Sequence, residues 1–274
     1  MPNSFIEKLK TKWNEGKFVC VGLDTDFEKI PAHLKSKDPN HKFPIQSAIY
    51  GFNKQIIDST HDLVCAYKIN SAFYEAKTET WEAMHHTFLY IQKTYPDIPV
   101  ILDAKRADIG NTNQGYVKMA FESLKADAIT VHPYLGKEAL GPFLSHADKG
   151  IIVLVRTSNP GSGELQGLEM EGKPLYLLVA ENVAKNWNTN GNCAVVVGAT
   201  YPEELKAVRE IIGDMPILIP GVGAQGGELE PTVKNGLNSQ KQGIIISSSR
   251  SIIYSENPRE ATQKLHDQIR SFIK

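Results

Sequence analysis

Val100-Ile-Leu-Asp-Ala-Lys-Arg-Ala-Asp-Ile-Gly-Asn-Thr112 begins as an apolar run and ends in charge: Asp103, Lys105, Arg106 and Asp108. Read as a strand, its alternation places Ile101, Asp103 and Lys105 on one face. Charges where a buried strand runs out are costly unless paired or hydrogen-bonded. Taken alone, Asp-x-Lys reads as a structural ion pair capping that strand. Gly110 and Asn111 then turn the chain straight after Asp108. What the other strands deliver to the same place decides whether these charges do chemistry.

Seven further apolar runs resemble this one in length and composition. They are Phe18 to Asp24, Leu63 to Asn70, Ala128 to Pro133, Gly150 to Ser158, Cys193 to Thr200, Ile217 to Gly223 and Gly243 to Arg250. Near-continuous β-branched runs suit strands covered on both faces, hence a parallel sheet. Amphipathic helical stretches lie between them: Pro44 to Ser59, Ser71 to Thr94, Gln114 to Leu124, Lys137 to His146, Pro174 to Trp187, Pro202 to Ile212, a short Leu229 to Val233, and Pro258 to Ile273. Eight strand–helix pairs predict a (β/α)8 TIM barrel, one α/β domain over residues 1–274. A doubly wound open sheet is the alternative. It usually has fewer strands, and the first run lacks a Gly-x-Gly-x-x-Gly turn.

Composition sets limits on partners. The chain has 274 residues, 41% hydrophobic, with a formal charge of −1. That balance leaves no electrostatic footprint for nucleic acid or an anionic membrane, and no apolar run approaches the ~20 residues of a membrane span. Cys20, Cys65 and Cys193 each lie inside an apolar run. Their odd number and wide separation predict reduced, buried thiols in a cytoplasmic protein. None has a Cys or His neighbour at metal-ligand spacing, and the sequence offers no obvious metal or cofactor site. The first sixteen residues read as an amphipathic helix, not a signal peptide.

In a barrel of this kind the C-terminal strand ends carry the active site. Reading those ends in order gives Asp24, Lys68 and Asn70, Asp103 and Lys105, His132, Ser158, Thr200, Gly221 to Gln225, and Arg250. Acids and bases gathered at one rim must pair, and paired charges in a cleft suggest chemistry. The turn Pro220-Gly-Val-Gly-Ala-Gln-Gly-Gly227 brings backbone amides together. With Arg250 at the next strand end it forms a candidate phosphate site. His132 reads as a packing or hydrogen-bonding residue, and Trp13, Trp81 and Trp187 as helix packing. The Gly-rich segment Asn159 to Lys173 follows the fifth strand and reads either as a lid or as a surface loop.

At this point the residues carry a family pattern. Asp103-Ala-Lys105-Arg-Ala-Asp108 resembles the Asp-x-Lys-x-x-Asp signature of orotidine 5′-phosphate decarboxylases, and the extension through Ile-Gly-Asn-Thr112 resembles their longer bacterial and protozoan subgroup. Asp24, Tyr67-Lys68-Ile-Asn70-Ser-Ala-Phe-Tyr-Glu75, Arg156-Thr-Ser158-Asn-Pro-Gly161, Pro220 to Gln225 and Arg250 match in order across all eight strands. Ala107 departs from the glycine expected in this subgroup.

The resemblance implies a cofactor-free decarboxylation of orotidine 5′-monophosphate to uridine 5′-monophosphate (UMP), the last step of UMP synthesis. It implies a charge tetrad of Lys68, Asp103, Lys105 and Asp108, with Lys105 protonating C6 as carbon dioxide leaves. Asp24, Lys68 and Thr112 would hold the ribose, Ser158 the pyrimidine, with Asn70 near the base. Gln225 and Arg250 would hold the phosphate. It further implies a homodimer with shared sites, Asp108 and Thr112 serving the neighbouring subunit. The chemistry is coherent on its own terms. Negative charge developing on carbon is stabilised by a fixed ammonium that then donates a proton. Two rivals fit the same scaffold. A magnesium-dependent sugar-phosphate decarboxylase or aldolase would want an acid where Lys68 stands, and a non-catalytic phosphosugar-binding barrel has no use for the Asp-Lys-Asp run.

Overall fold

A computed structural model of the protein describes residues 4–35, 42, 44–222 and 228–273. Eight parallel strands close into a barrel: β1 (Val19–Gly22), β2 (Val64–Asn70), β3 (Val100–Arg106), β4 (Ala128–Val131), β5 (Gly150–Arg156), β6 (Cys193–Val197), β7 (Ile217–Pro220) and β8 (Ile244–Ser248). They follow one another around the ring, and β8 pairs back onto β1 through Val19 opposite Ile246. All eight predicted runs are strands, and nearly every strand residue is buried, as the unbroken apolar runs require. The doubly wound alternative fails because no sheet edge is left open.

The outer ring comprises α2 (Pro44–Thr60), α3 (Thr78–Thr94), α4 (Gly110–Val117), α5 (Gly136–Leu144), α6 (Leu175–Asn182), α7 (Pro202–Ile212), α8 (Leu229–Gly236) and α9 (Pro258–Phe272), after a leading α1 (Phe5–Asn14). The helix expected from Ser71 is corrected: α3 begins only at Thr78. Residues 71–73 make a single turn capped by the Asn70 side chain, and the buried Tyr74 ties the chain across the barrel mouth before the helix can start. Segment 159–173 is not a bare loop. It folds into two short helical turns and a hairpin pairing Glu169–Met170 with Lys173–Pro174.

One element fixes which end of the barrel is available. In α1, Phe5, Leu9 and Trp13 are buried. The Trp13 indole donates to the Ile244 carbonyl at the start of β8 (2.9 Å), and Lys8 pairs with Asp127 just before β4 (2.7 Å). Phe5 packs on Gly150 at the start of β5, where a Cβ would fall 2.2 Å from its ring. α1 therefore plugs the N-terminal face and leaves the C-terminal strand ends open to ligand. No described helix is long and apolar enough to cross a membrane.

Candidate active site

β2 and β3 run in register with Asn70 opposite Asp103. The long Lys68 stem, two residues behind, therefore reaches the carboxylate on the next strand. Lys68 Nζ lies 3.0 Å from Asp103 Oδ2 and 3.5 Å from Asp24 Oδ1. Lys105 Nζ lies 2.8 Å from Asp103 Oδ1, which also accepts a hydrogen bond from Thr130 Oγ1 at 2.8 Å. Asp103 is thus shared between two ammonium groups and a hydroxyl. The two lysines differ in setting: the Lys68 side chain is 6% exposed and that of Lys105 47%. Both line the cavity, Lys68 as a buried charge held by two carboxylates and Lys105 as the more exposed of the pair.

The protonation states follow from these contacts. Burial alone pushes the Asp103 carboxyl up. Lys68 and Lys105, with hydrogen bonds from Lys105 and Thr130, outweigh it and hold the group well below the usual carboxylate range. Burial likewise pulls Lys68 down, and Asp103 and then Asp24 reverse that, raising it above the usual lysine value. The Cys20 thiol, buried beneath them, is pushed up to about 12, chiefly by burial, and stays protonated and inert.

Lys105 owes its aim to an unusual backbone. Its φ is +48°, in the left-handed region that non-glycine residues rarely adopt. Its N–H donates to Thr130 Oγ1 (2.9 Å), so one threonine on β4 secures both the Lys105 backbone and the Asp103 carboxylate. Such strain costs about 1–3 kcal/mol and persists where the surroundings over-determine it. Ala107, the departure from the family pattern, has no positive φ, so a side chain fits there without strain. Its carbonyl accepts from His132 Nε2 (3.1 Å), since Tyr134 N–H already donates to Nδ1. His132 is a hydrogen-bonding residue, as expected, and it braces the turn that leads to Asp108.

Asp24, Lys68, Asn70, Asp103, Lys105, Ser158 and Arg250 line one cavity of about 390 Å³, together with Thr157, Asn159, Gly221 and Ser247 to Ser249. Seven of the ten candidate residues therefore converge. Asp108 and Thr112 do not line the cavity. The Asn113 amide accepts from the Asp108 N–H (2.8 Å) and donates to its carbonyl, while the Asp108 carboxylate turns back onto Ile109 N (2.6 Å). Gln225 lies outside the described residues. Among those residues no three His, Cys, Asp or Glu side chains converge as metal ligands would.

A buried network beneath Asp24 carries no sequence signature. Asn53 of α2 accepts from Thr25 Oγ1 (2.6 Å) and donates to Tyr74 Oη (3.1 Å) and to Thr87 Oγ1 of α3 (3.1 Å). Tyr74 Oη donates in turn to the Leu23 carbonyl (2.5 Å). Asp24 is thus gripped on both flanks, by Leu23 and by Thr25. Tyr74→Phe leaves the Leu23 carbonyl and the Asn53 amide each short of a partner. It is expected to cost about 2 kcal/mol and to lower the melting temperature by roughly 4–8 °C, as read by calorimetry. An unchanged melting temperature would mean that the network carries no load.

Known proteins resemble this chain in sequence and in fold. Residues 17–265 match the model of the "Orotidine 5'-phosphate decarboxylase / HUMPS family". The chain is 48% identical over 262 residues to an orotidine 5′-phosphate decarboxylase of Cellvibrio japonicus, covering 95% of this chain and 93% of that one. Among solved structures, Leishmania donovani OMP decarboxylase is 35% identical with a TM-score of 0.85, covering 98% of both chains. Leishmania donovani UMP synthase is 37% identical with a TM-score of 0.88, covering 99% of this chain but 57% of that longer one. With the barrel, the paired Lys68–Asp103–Lys105 cluster and matches over nearly its whole length, the chain belongs to the orotidine 5′-phosphate decarboxylase family.

Proposed function

We propose that Lys105 is the proton donor in the decarboxylation of orotidine 5′-monophosphate to UMP. The C6–carboxylate bond breaks, carbon dioxide leaves, and the electron pair stays on C6. The Lys105 ammonium stabilises that developing charge and then gives its proton to the carbon. The observation that carries this reading is the pairing of Lys105 with Asp103 at 2.8 Å on a lysine that lines the cavity and is half exposed. Asp103, held ionised by two lysines, keeps the ammonium in place and repels the substrate carboxylate. Asp24 and Lys68 hold the ribose, Ser158 the pyrimidine with Asn70 nearby, and Arg250 the phosphate, joined by Gln225. Binding energy from phosphate and ribose then fixes C6 against Lys105.

The working unit in this reading is a homodimer, with Asp108 and Thr112 completing the neighbouring subunit's site. Exposed apolar side chains support it. Phe73, Ile109, Tyr134, Leu135, Leu165, Leu168 and Met170 are large, apolar and exposed, and all follow β2, β3, β4 or β5. They share one half of the barrel rim, which suits burial against a second copy. The three free, buried cysteines support a cytoplasmic setting.

Purified protein is expected to convert orotidine 5′-monophosphate to UMP, followed by the fall in ultraviolet absorbance, at the same rate with and without EDTA. The buried Lys68 ammonium occupies the strand-two end, where a magnesium-dependent sugar-phosphate enzyme would need an acid. Loss of activity in EDTA would favour that rival, and tight nucleotide binding without turnover would favour a binding barrel.

A further inference from the structure

We infer that Gln166 is a positioning residue that sets Ser158 against the pyrimidine, an inference that rests on the base contact assigned to Ser158 above. Ser158 belongs to the chain leaving β5, a segment that could lie in many ways over the cavity. Two features remove that freedom. On one side stands Gly198, just past β6: a Cβ there would fall 2.7 Å from Ser158 Cβ, so Ser158 packs directly on bare backbone. On the other side, the Gln166 carboxamide takes both hydrogen-bonding groups of Thr157. Its Oε1 accepts the Thr157 N–H (2.9 Å) and its Nε2 donates to Thr157 Oγ1 (2.8 Å). Thr157 Oγ1 then donates to Asn159 Oδ1 (2.6 Å). The residues on either side of Ser158 are thereby tied to one amide.

The amide is itself anchored. Arg156, the last residue of β5, is buried at 6% exposure. Its guanidinium pairs with Glu204 of α7 and lies 4.3 Å from the Tyr201 ring centroid. Its Nη1 donates to Ser162 Oγ (2.8 Å) and reaches Gln166 Oε1 at 3.5 Å. Two donors, Thr157 N–H and the Arg156 guanidinium, thus face Oε1, which fixes the amide's orientation and leaves Nε2 for the threonine hydroxyl. Arg156 holds the 157–166 segment to the barrel, and Gln166 transmits that hold to the two neighbours of Ser158. Gln166 reaches the cavity only through Thr157 and does not itself line it.

Calorimetric binding of two probes to the full-length protein tests this: UMP, which carries the base, and ribose 5-phosphate, which lacks it. Gln166→Leu is expected to weaken UMP about 10-fold, the loss of a good hydrogen-bonded contact, and to leave ribose 5-phosphate unchanged. Gln166→Glu should lose less than Gln166→Leu, because its carboxylate still accepts the Thr157 N–H beside Arg156 but cannot donate to Thr157 Oγ1. In a Ser158→Ala background, Gln166→Leu should have no further effect on UMP. Equal weakening of both probes, additive losses in the double variant, or no loss in Gln166→Leu would each overturn the inference. A Ser158→Ala protein that binds UMP like wild type would instead remove the base contact on which it rests.

Discussion

Lys105→Ala is expected to lower the decarboxylation turnover by at least about 10³-fold, a rise of roughly 4 kcal/mol in the barrier. Two effects are lost together: the ammonium charge that meets the developing carbanion, and the proton that quenches it. The lesion should be chemical rather than structural. The Lys105 side chain is half exposed, and Asp103 retains both Lys68 and Thr130 when it is gone. The alanine variant should therefore melt like wild type and bind UMP within about tenfold of it. Lys68 is the instructive contrast. Its removal would strand the buried Asp103 with one ammonium and take from Asp24 its Lys68 partner, a lesion that costs about 3–5 kcal/mol in folding. A loss of activity in Lys68→Ala would mix folding with chemistry, so Lys105 is the position at which the proposed proton donor is tested cleanly. Turnover in Lys105→Ala within about tenfold of wild type would remove it from that role.

The barrel was legible in the sequence because a parallel strand covered on both faces must be apolar throughout, and eight such runs stood apart from helical patterns. The cluster was legible because strand ends point at a common axis, so Asp24, Lys68, Asp103 and Lys105 could be placed together without knowing any side-chain conformation. What lay beyond reach depends on relations between distant elements. The Asn53–Tyr74 network joins α2, α3 and the end of β1, and each member by itself reads as an ordinary helix or loop residue. Tyr74 also explains the overlong helix expected from Ser71: apolar spacing through Phe73 and Ala76 looks helical, but a hydroxyl pinned to Leu23 holds that stretch across the barrel mouth. Arg156 reads as the polar end of an apolar run, and nothing local announces its pairing with Glu204. The left-handed backbone at Lys105 is set by Thr130 of the next strand, a neighbour that spacing along β3 cannot reveal.

Mixing inactive Lys105→Ala and Asp108→Ala chains is expected to restore activity to about one quarter of wild type, the level at which random exchange leaves half of the dimers mixed and one intact site in each. The intact site takes Lys105 from one variant and Asp108 from the other, while the second site in the same dimer lacks both. The geometry makes the outcome informative. Asp103 is built into its own subunit's cluster, but Asp108, five residues further on, lies off that cavity. The Asn113 amide clamps its backbone, and it leads into the exposed Ile109 on the apolar half of the rim. A carboxylate held off its own cavity is what the proposed shared site requires. Asp108 is half-buried with no ion pair assigned to it among the described residues, so alanine there should leave each chain folded. Differently tagged chains recovered together would establish that exchange has occurred. Exchange without any recovery of activity would return Asp108 to its own subunit's site, and would mean that this same side chain must swing inward past Asn113 before the carboxylate can reach Lys105.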